Sequence, residues 1–319
     1  MIEISQVKEL LGQMRAEIRK VIVGQEKVVD LILQALLIRG HVLIEGVPGT
    51  AKTLTVKTIS RIIGADFRRL QMTPDLMPSD VVGTTIYDSK IGEFRVQKGP
   101  IFSDLVLVDE INRAPAKTQS ALLECMEERQ VTIEGNRFDM SPIFMVLATQ
   151  NPLEYEGTYP LPEAQLDRFI FKILISYPEG SEENQVLERF EAGFRADDLK
   201  SVNLSTIATV ETVRSCQEAI KQVKTKPGII DYITGIVRLT RTWNDFLVGG
   251  GVRSSIGLHM ASKAVALMDG RDYVTPDDVK SIVFPVMRHR IILKPEAEIE
   301  GITPDDALKA VVGQVKVPR

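Results

Sequence analysis

Val42-Leu43-Ile44 runs through Glu45 into Gly46-Val47-Pro48-Gly49-Thr50-Ala51-Lys52-Thr53, and the reading of this stretch decides the fold. A short apolar run is followed by a glycine- and proline-bearing loop, then by Lys-Thr at the start of the helical stretch 53–63. Strand, glycine-rich loop, Lys-Thr and helix form the context that a phosphate-binding loop needs. Backbone N–H groups of such a loop, together with the helix N-terminus, surround phosphate oxygens. Lys52 then reaches the β- and γ-phosphates, and the Thr53 hydroxyl ligates Mg²⁺. Gly46, Val47, Pro48, Gly49, Thr50, Ala51, Lys52, Thr53 and Leu54 are therefore the expected nucleotide cradle. The strict pattern has Gly before the Lys, where this chain has Ala51. Read as the opening of the helix, with negative φ, that position accepts Ala at little cost.

Further apolar runs lie at 105–108, 143–147 and 170–175. None alternates with polar residues, as suits parallel strands covered by helices on both faces. A second helical stretch, 116–128, lies among them, so the chain reads as a doubly wound α/β sheet. Two excursions fit hairpins better than helices: 81–98, with Gly83-Thr84-Thr85 and Lys90-Ile91-Gly92, and 130–140, around Glu134-Gly135-Asn136.

Upstream, Ser5 reads as the N-cap of an amphipathic helix bearing Val7, Leu10, Leu11, Met14 and Ile18. A Gly24-Gln25 turn leads into a second helix through Val28, Leu31, Ile32, Ala35 and Leu36. Beyond Tyr177-Pro178-Glu179-Gly180 the strand signal fades, and Ser181, Thr275 and Thr303 read as helix caps. The last two are each followed by Pro and two acids, the arrangement of a helix start. The expected division is an α/β core over 1–180 and a smaller all-helical domain over 181–319.

Composition sets limits. The 319 residues are 44% hydrophobic and 26% charged, the balance of a globular chain with a core of its own. Lys and Arg number 20 up to Pro178 against 23 acids, and 19 against 20 beyond it, so neither half is a basic module. Cys125 and Cys216 form no CxxC pair and read as small buried hydrophobes in a reducing compartment. The three histidines have no metal-ligand spacing. No signal peptide or membrane span is legible, and the expected location is cytoplasmic.

The chemistry-bearing residues follow from strand ends. Asp109 and Glu110 close an apolar strand, which alone reads as a solvated strand end; downstream of a phosphate loop Asp109 suits a direct or water-mediated Mg²⁺ contact and Glu110 the polarisation of an attacking water. Asn151, after Ala148-Thr149-Gln150, either holds the attacking water or the γ-phosphate at the crevice where such sheets bind ligands or, with Pro152, forms a plain turn, the reading the segment favours in isolation.

Taken together, Val23-Gly24-Gln25, the loop 46–53, Asp109-Glu110-Ile111-Asn112-Arg113-Ala114, Met126-Glu127-Glu128-Arg129-Gln130-Val131, Asn151 and Pro162-Glu163-Ala164-Gln165-Leu166-Asp167-Arg168-Phe169 resemble the MoxR family of AAA+ ATPases. The resemblance covers nearly the whole chain, and MoxR-like loops also carry Ala before the Lys. It implies an AAA+ P-loop NTPase with a five-stranded parallel sheet, helices on both faces, two inserted hairpins and a helical lid. It further implies Lys52 and Thr53 as Walker A, Asp109 and Glu110 as Walker B, Asn151 as sensor 1, Arg168 as an arginine finger for a neighbouring subunit, and Arg253 as sensor 2. Gln25 lies either by the adenine or in a plain turn. Arg288-His289-Arg290 reads as a solvated basic face.

The expectation is a Mg²⁺-dependent ATPase working as a ring, a hexamer by resemblance, that remodels partner proteins, often ones with a von Willebrand factor A domain. The alternative is a nucleic-acid motor of MCM type. The hairpin 81–98 sets Asp88 and Glu93 beside Lys90, Arg95 and Lys98, so no stable nucleic-acid ligand is expected.

Overall fold

The computed structural model describes residues 2–90, 92–151, 158–196, 198–199 and 202–318. Ile91, in the turn of the first expected hairpin, and Pro152, after Asn151, lie outside them. The strands in chain order are β1 (His41–Gly46), β2 (Phe67–Gln71), β3 (Gly83–Asp88), β4 (Glu93–Lys98), β5 (Leu105–Asp109), β6 (Gln130–Ile133), β7 (Asn136–Asp139), β8 (Met145–Gln150), β9 (Phe169–Ile175), β10 (Phe246–Val248) and β11 (Ile292–Leu293). The helices are α1 (Ile4–Arg19), α2 (Glu26–Leu37), α3 (Lys52–Ile62), α4 (Pro78–Val82), α5 (Ala116–Glu128), α6 (Glu163–Leu166), α7 (Gly180–Glu191), α8 (Val210–Ala219), α9 (Pro227–Thr240), α10 (Val252–Met268), α11 (Pro276–Met287), α12 (Pro295–Ile299) and α13 (Pro304–Gln314).

Five strands form one parallel sheet in the order β2-β5-β8-β1-β9. Its central strands are buried on both faces because successive side chains point to opposite sides. Val42, Ile44, Leu105, Leu107, Met145 and Leu147 face the core shared with α1, α2, α3 and the later helices. Leu43, Val106, Val108, Val146 and Ala148 face the core closed by α5 and the β6–β7 hairpin. Each fully buried Leu, Ile or Val contributes about 1.5–3 kcal/mol relative to exposure.

The strand β2 has no counterpart among the apolar runs read from the sequence. In Phe67-Arg68-Arg69-Leu70-Gln71 only Leu70 is buried, since β2 is the sheet edge and two of its residues are solvated arginines. Both hairpins form as expected, β3 with β4 and β6 with β7, and the second turns at Glu134 and Gly135, both at positive φ.

Two caps differ from expectation. Glu3, not Ser5, caps α1, with its N–H donating to the Gln6 side chain at 3.0 Å. Glu179, not Ser181, caps α7, with its N–H donating to Glu182 at 3.1 Å. In both, the residue three places on satisfies the cap N–H, which frees the cap position from the usual Ser or Thr. Thr275 and Thr303 do cap α11 and α13, accepting from Asp278 and Asp306 N–H. The later region is helical apart from the short antiparallel pair β10–β11.

Candidate active site

Sheet register brings the Walker-type residues to one edge. Glu45 pairs with Gln150, so Asn151 follows level with Gly46. Gln71 pairs with Asp109, and Val108 pairs with Ala148, so Gln71, Asp109 and Thr149 lie in a row across β2, β5 and β8. This is the carboxyl edge, where open α/β sheets bind ligands. Gly46 is forced by packing: a Cβ there would sit 2.4 Å from the Ile175 carbonyl oxygen.

The loop leaves β1 and turns at Gly49, with φ 84°. Ala51 corrects the sequence reading. It is not the first helical residue but the one before α3, at φ 56° and ψ 19° in the left-handed region. The last loop residue must reverse the chain before the helix can start at Lys52, and Gly is the residue that does this without strain. Internal bonds hold the loop shape: Thr50 Oγ1 donates to Val47 O at 3.1 Å, and Thr55 Oγ1 to Ala51 O at 3.1 Å. Gln25, itself at φ 56°, donates from Nε2 to Thr50 O at 3.1 Å. Its buried Oε1 has no hydrogen-bond partner among the described residues. Gln25 therefore braces the loop from outside.

Lys52 Nζ donates to Gly46 O at 2.5 Å, which keeps the ammonium over the mouth of the loop. Burial lowers its pKa while Asp109 and Glu110 raise it, so the lysine lies within the field of both acids. Thr53 and Leu54 occupy the first turn of α3, both half-buried. Asp109 is buried and accepts from Arg69 Nε at 2.6 Å and from Thr149 Oγ1 at 3.1 Å. Thr149 Oγ1 also accepts the Glu110 N–H at 3.0 Å. Glu110 sits at φ 56° and ψ 52°, a left-handed conformation that turns its side chain along the edge. There its Oε2 accepts from Gln71 Nε2 at 2.7 Å and pairs with Arg113 Nε at 3.2 Å. Arg69, Gln71 and Thr149 were not singled out from the sequence; the first two lie on the strand whose polar composition hides it.

The remaining two expected residues lie at the other edge. His41 pairs with Phe169, so Arg168 stands where β1 begins, about 16 Å from its end at roughly 3.3 Å per residue. Arg168 pairs with Glu127 and donates to Leu123 O at 3.1 Å, while its buried Nε has no partner among the described residues. Arg253, in the first turn of α10, donates to the other oxygen of Glu127 at 3.0 Å and lies 3.5 Å from Asp167. They line a cleft of about 330 Å³ with Arg39, Arg129 and Arg290, five arginines against Glu127 and Asp167. Arg168 and Arg253 are thus brought together, and neither is near its own subunit's loop.

Arg288-His289-Arg290 is not a solvated face. Arg290 is 5% exposed and donates to Asp167 at 2.7 Å, His289 is buried, and Arg288 pairs with Asp305 at 2.8 Å. The turn after α11 folds back onto β9, and acids distant in sequence meet both arginines. His41 is also buried: Nδ1 accepts the Val146 N–H at 2.9 Å, so Nε2 carries the proton and donates to Met126 O at 3.1 Å. Burial, with Arg129 adding, pushes its pKa down to about 3. Cys125 and Cys216 are buried free thiols with pKa values raised by burial to about 12 and about 11.

A phosphate-type loop after the fourth strand in spatial order, an Asp-Glu pair two strands away and a sheet ordered in this way define an AAA-class ATPase. Residues 41–171 match the ATPase family associated with various cellular activities (AAA), and residues 247–311 match the AAA lid domain. The chain is 46% identical over 309 residues to the uncharacterized protein YeaC of Bacillus subtilis, covering 97% of this chain and 95% of that one. It is 43% identical to the chaperone MoxR1 of Mycobacterium tuberculosis over 95% of this chain and 81% of that one, and 30% identical to the protein MoxR of Methylorubrum extorquens over 98% and 96%. A crystal structure from Cytophaga hutchinsonii superposes with a TM-score of 0.91 at 40% identity, over 99% of this chain and 97% of that one. The chain belongs to the MoxR family of AAA+ ATPases. Among the described residues no helix is long and apolar enough to cross a membrane.

Proposed function

We propose that this chain hydrolyses Mg²⁺-ATP at sites shared between neighbouring subunits of a ring of six. The observation that carries this reading is the separation of the two arginines from their own loop by the length of β1, with both on one cleft. A guanidinium acts on a phosphoryl group only in contact, so those two serve a neighbour's nucleotide.

Within the receiving subunit, residues 46–54 cradle the phosphates, and Lys52 exchanges Gly46 O for β- and γ-phosphate oxygens. A hydroxyl at Thr53 and a carboxylate at Asp109 are hard oxygen donors that fit Mg²⁺. The metal, when bound, neutralises charge on the phosphate oxygens. Glu110 orients and polarises the attacking water, and Asn151 holds that water or the γ-phosphate. Arg168 and Arg253, released from Glu127, stabilise charge developing on the neighbour's phosphate. Gln25 shapes the loop beside the base. We place the division between the nucleotide core and the lid region at 180/181.

The cellular role in this reading is remodelling of partner proteins, which a relative named a chaperone supports; cytoplasmic location and partners with a von Willebrand factor A domain are part of the same proposal. The MCM-type reading gains no support from the hairpins, whose charges are mixed.

Complementation tests the shared site. Arg168→Ala keeps an intact loop and Lys52→Ala keeps an intact finger. Each alone should lose hydrolysis by on the order of 10³-fold, and their mixture should recover part of it. No recovery in rings shown to contain both variants would refute the shared site.

A further inference from the structure

The helix α7 is amphipathic in the reverse sense. Its two half-buried residues are polar. Glu182 lies over Gly24, so close that an added Cβ there would come within 2.1 Å of the carboxylate. Arg189 donates to the Lys20 and Arg19 carbonyls, both at 3.1 Å. No residue of α7 is buried, and Val186, Leu187 and Phe190 are 49%, 63% and 54% exposed. Spaced i, i+1 and i+4, they make one outward stripe, flanked by the exposed acids Glu179, Glu183, Glu188 and Glu191, which outnumber the one exposed cation on it among the described residues, Arg195, stacked 4.1 Å from the Phe190 ring centroid. A surface helix ordinarily turns such a stripe inward, and a contiguous apolar patch left outside marks an interaction site.

The place of α7 says which interaction. It rests on Gly24, the neighbour of Gln25, and Gln25 holds the nucleotide loop through Thr50 O. The stripe therefore borders the carboxyl edge. At the opposite edge of the same chain Val252 and Ile256, 70% and 58% exposed, flank Arg253 one turn apart on α10. Beside them lies the cleft with five arginines and two acids. One edge is apolar with surplus negative charge, the other apolar with surplus positive charge.

We propose that α7 is the seat for the arginine edge of a second copy of this chain. Val252 and Ile256 pack on the stripe of Leu187 and Phe190, and the glutamates of α7 guide the facing arginines past them to the phosphates. The two surfaces differ, so the contact is head-to-tail, and repeated with a closing rotation it generates a ring. Opposite charges at the rim steer and orient the approach, and the apolar centre supplies affinity. The inference rests on the shared-site reading above.

The test uses the full-length chain with a slowly hydrolysed ATP analogue, followed by sedimentation velocity. Leu187→Asp with Phe190→Asp alters exposed positions only, and a thermal melt checks that the fold is kept. The concentration for half-assembly should rise by about tenfold or more, the loss expected when an interface anchor is removed. Val252→Asp with Ile256→Asp should do the same from the other edge. Glu183→Lys with Glu188→Lys, which removes no apolar surface, should weaken assembly several-fold and lessen its salt dependence. If both sets of α7 variants assemble at the wild-type concentration while the Arg168→Ala and Lys52→Ala mixture still recovers activity, α7 is not the seat, and the shared site stands. If that mixture fails as well, the shared-site reading falls first and takes this one with it.

Discussion

The amide of Gln71 donates to the carboxylate of Glu110 at 2.7 Å, joining the edge strand β2 to the acid that closes β5. Among the described residues Gln71 hydrogen-bonds to Arg69 and Glu110 and not to the loop 46–54 or Lys52, so its expected action on hydrolysis is through the orientation of Glu110. A hydrogen bond to a charged group contributes about 1.5–3 kcal/mol, which spans roughly ten- to a hundredfold in rate if all of it is used in the transition state. Gln71→Ala should lower kcat by about tenfold and leave the KM for ATP within about twofold. In a Glu110→Gln background, where hydrolysis should already be lost while ATP still binds, Gln71→Ala should change nothing further. Steady-state kinetics on the four proteins decide this, and a Gln71 effect confined to KM would mean the residue serves binding instead.

Much of the candidate site's placement on the sheet was legible in the sequence, for a physical reason. The strands β1, β5 and β8 are buried on both faces and so appear as unbroken apolar runs, and Lys52, the pair Asp109 and Glu110, and Asn151 lie at or just beyond their carboxyl ends. The strand β2 is an edge with Arg68 and Arg69 in solvent, and no local pattern distinguishes it from a loop. Gln71 and the Arg69 partner of Asp109 were lost with it. Arg290 was misread for a related reason: Asp167, which neutralises it, is 123 residues away. The meeting of Arg168 with Arg253 at Glu127 is likewise a product of tertiary packing, with no trace in local spacing.

Ala51 offers a sharper check on the loop. A left-handed φ costs an L-residue about 1–2 kcal/mol that Gly does not incur. Ala51→Gly should therefore stabilise the chain by about 1 kcal/mol, raising the melting temperature by on the order of 2 °C, with ATP binding retained. Were Ala51 helical instead, the same change would destabilise by about 1 kcal/mol. Differential scanning calorimetry distinguishes the two by sign alone.

The last expectation concerns acid. His41 ties the start of β1 to the end of α5 and to β8, and it does so as a neutral imidazole. Its folded pKa, about 3, lies below the unfolded value near 6.5. A group depressed in this way contributes stability that is fully present above the unfolded pKa and is lost as pH falls toward the folded one. The window is therefore between pH 6.5 and about 3, and at pH 5 the loss from His41 is roughly 2 kcal/mol. His289, also buried and with its pKa lowered well below the usual value, acts in the same direction. Urea midpoints at constant salt should stay level from pH 8 to 7 and fall steadily from 6.5 to 5. His41→Gln keeps an acceptor for the Val146 N–H and a donor for Met126 O but does not titrate. That variant should be less stable at pH 8, since its amide fits the imidazole's place imperfectly, yet should lose about 2 kcal/mol less than wild type between pH 7 and 5. An unchanged slope would show that protonation of His41 is not coupled to unfolding.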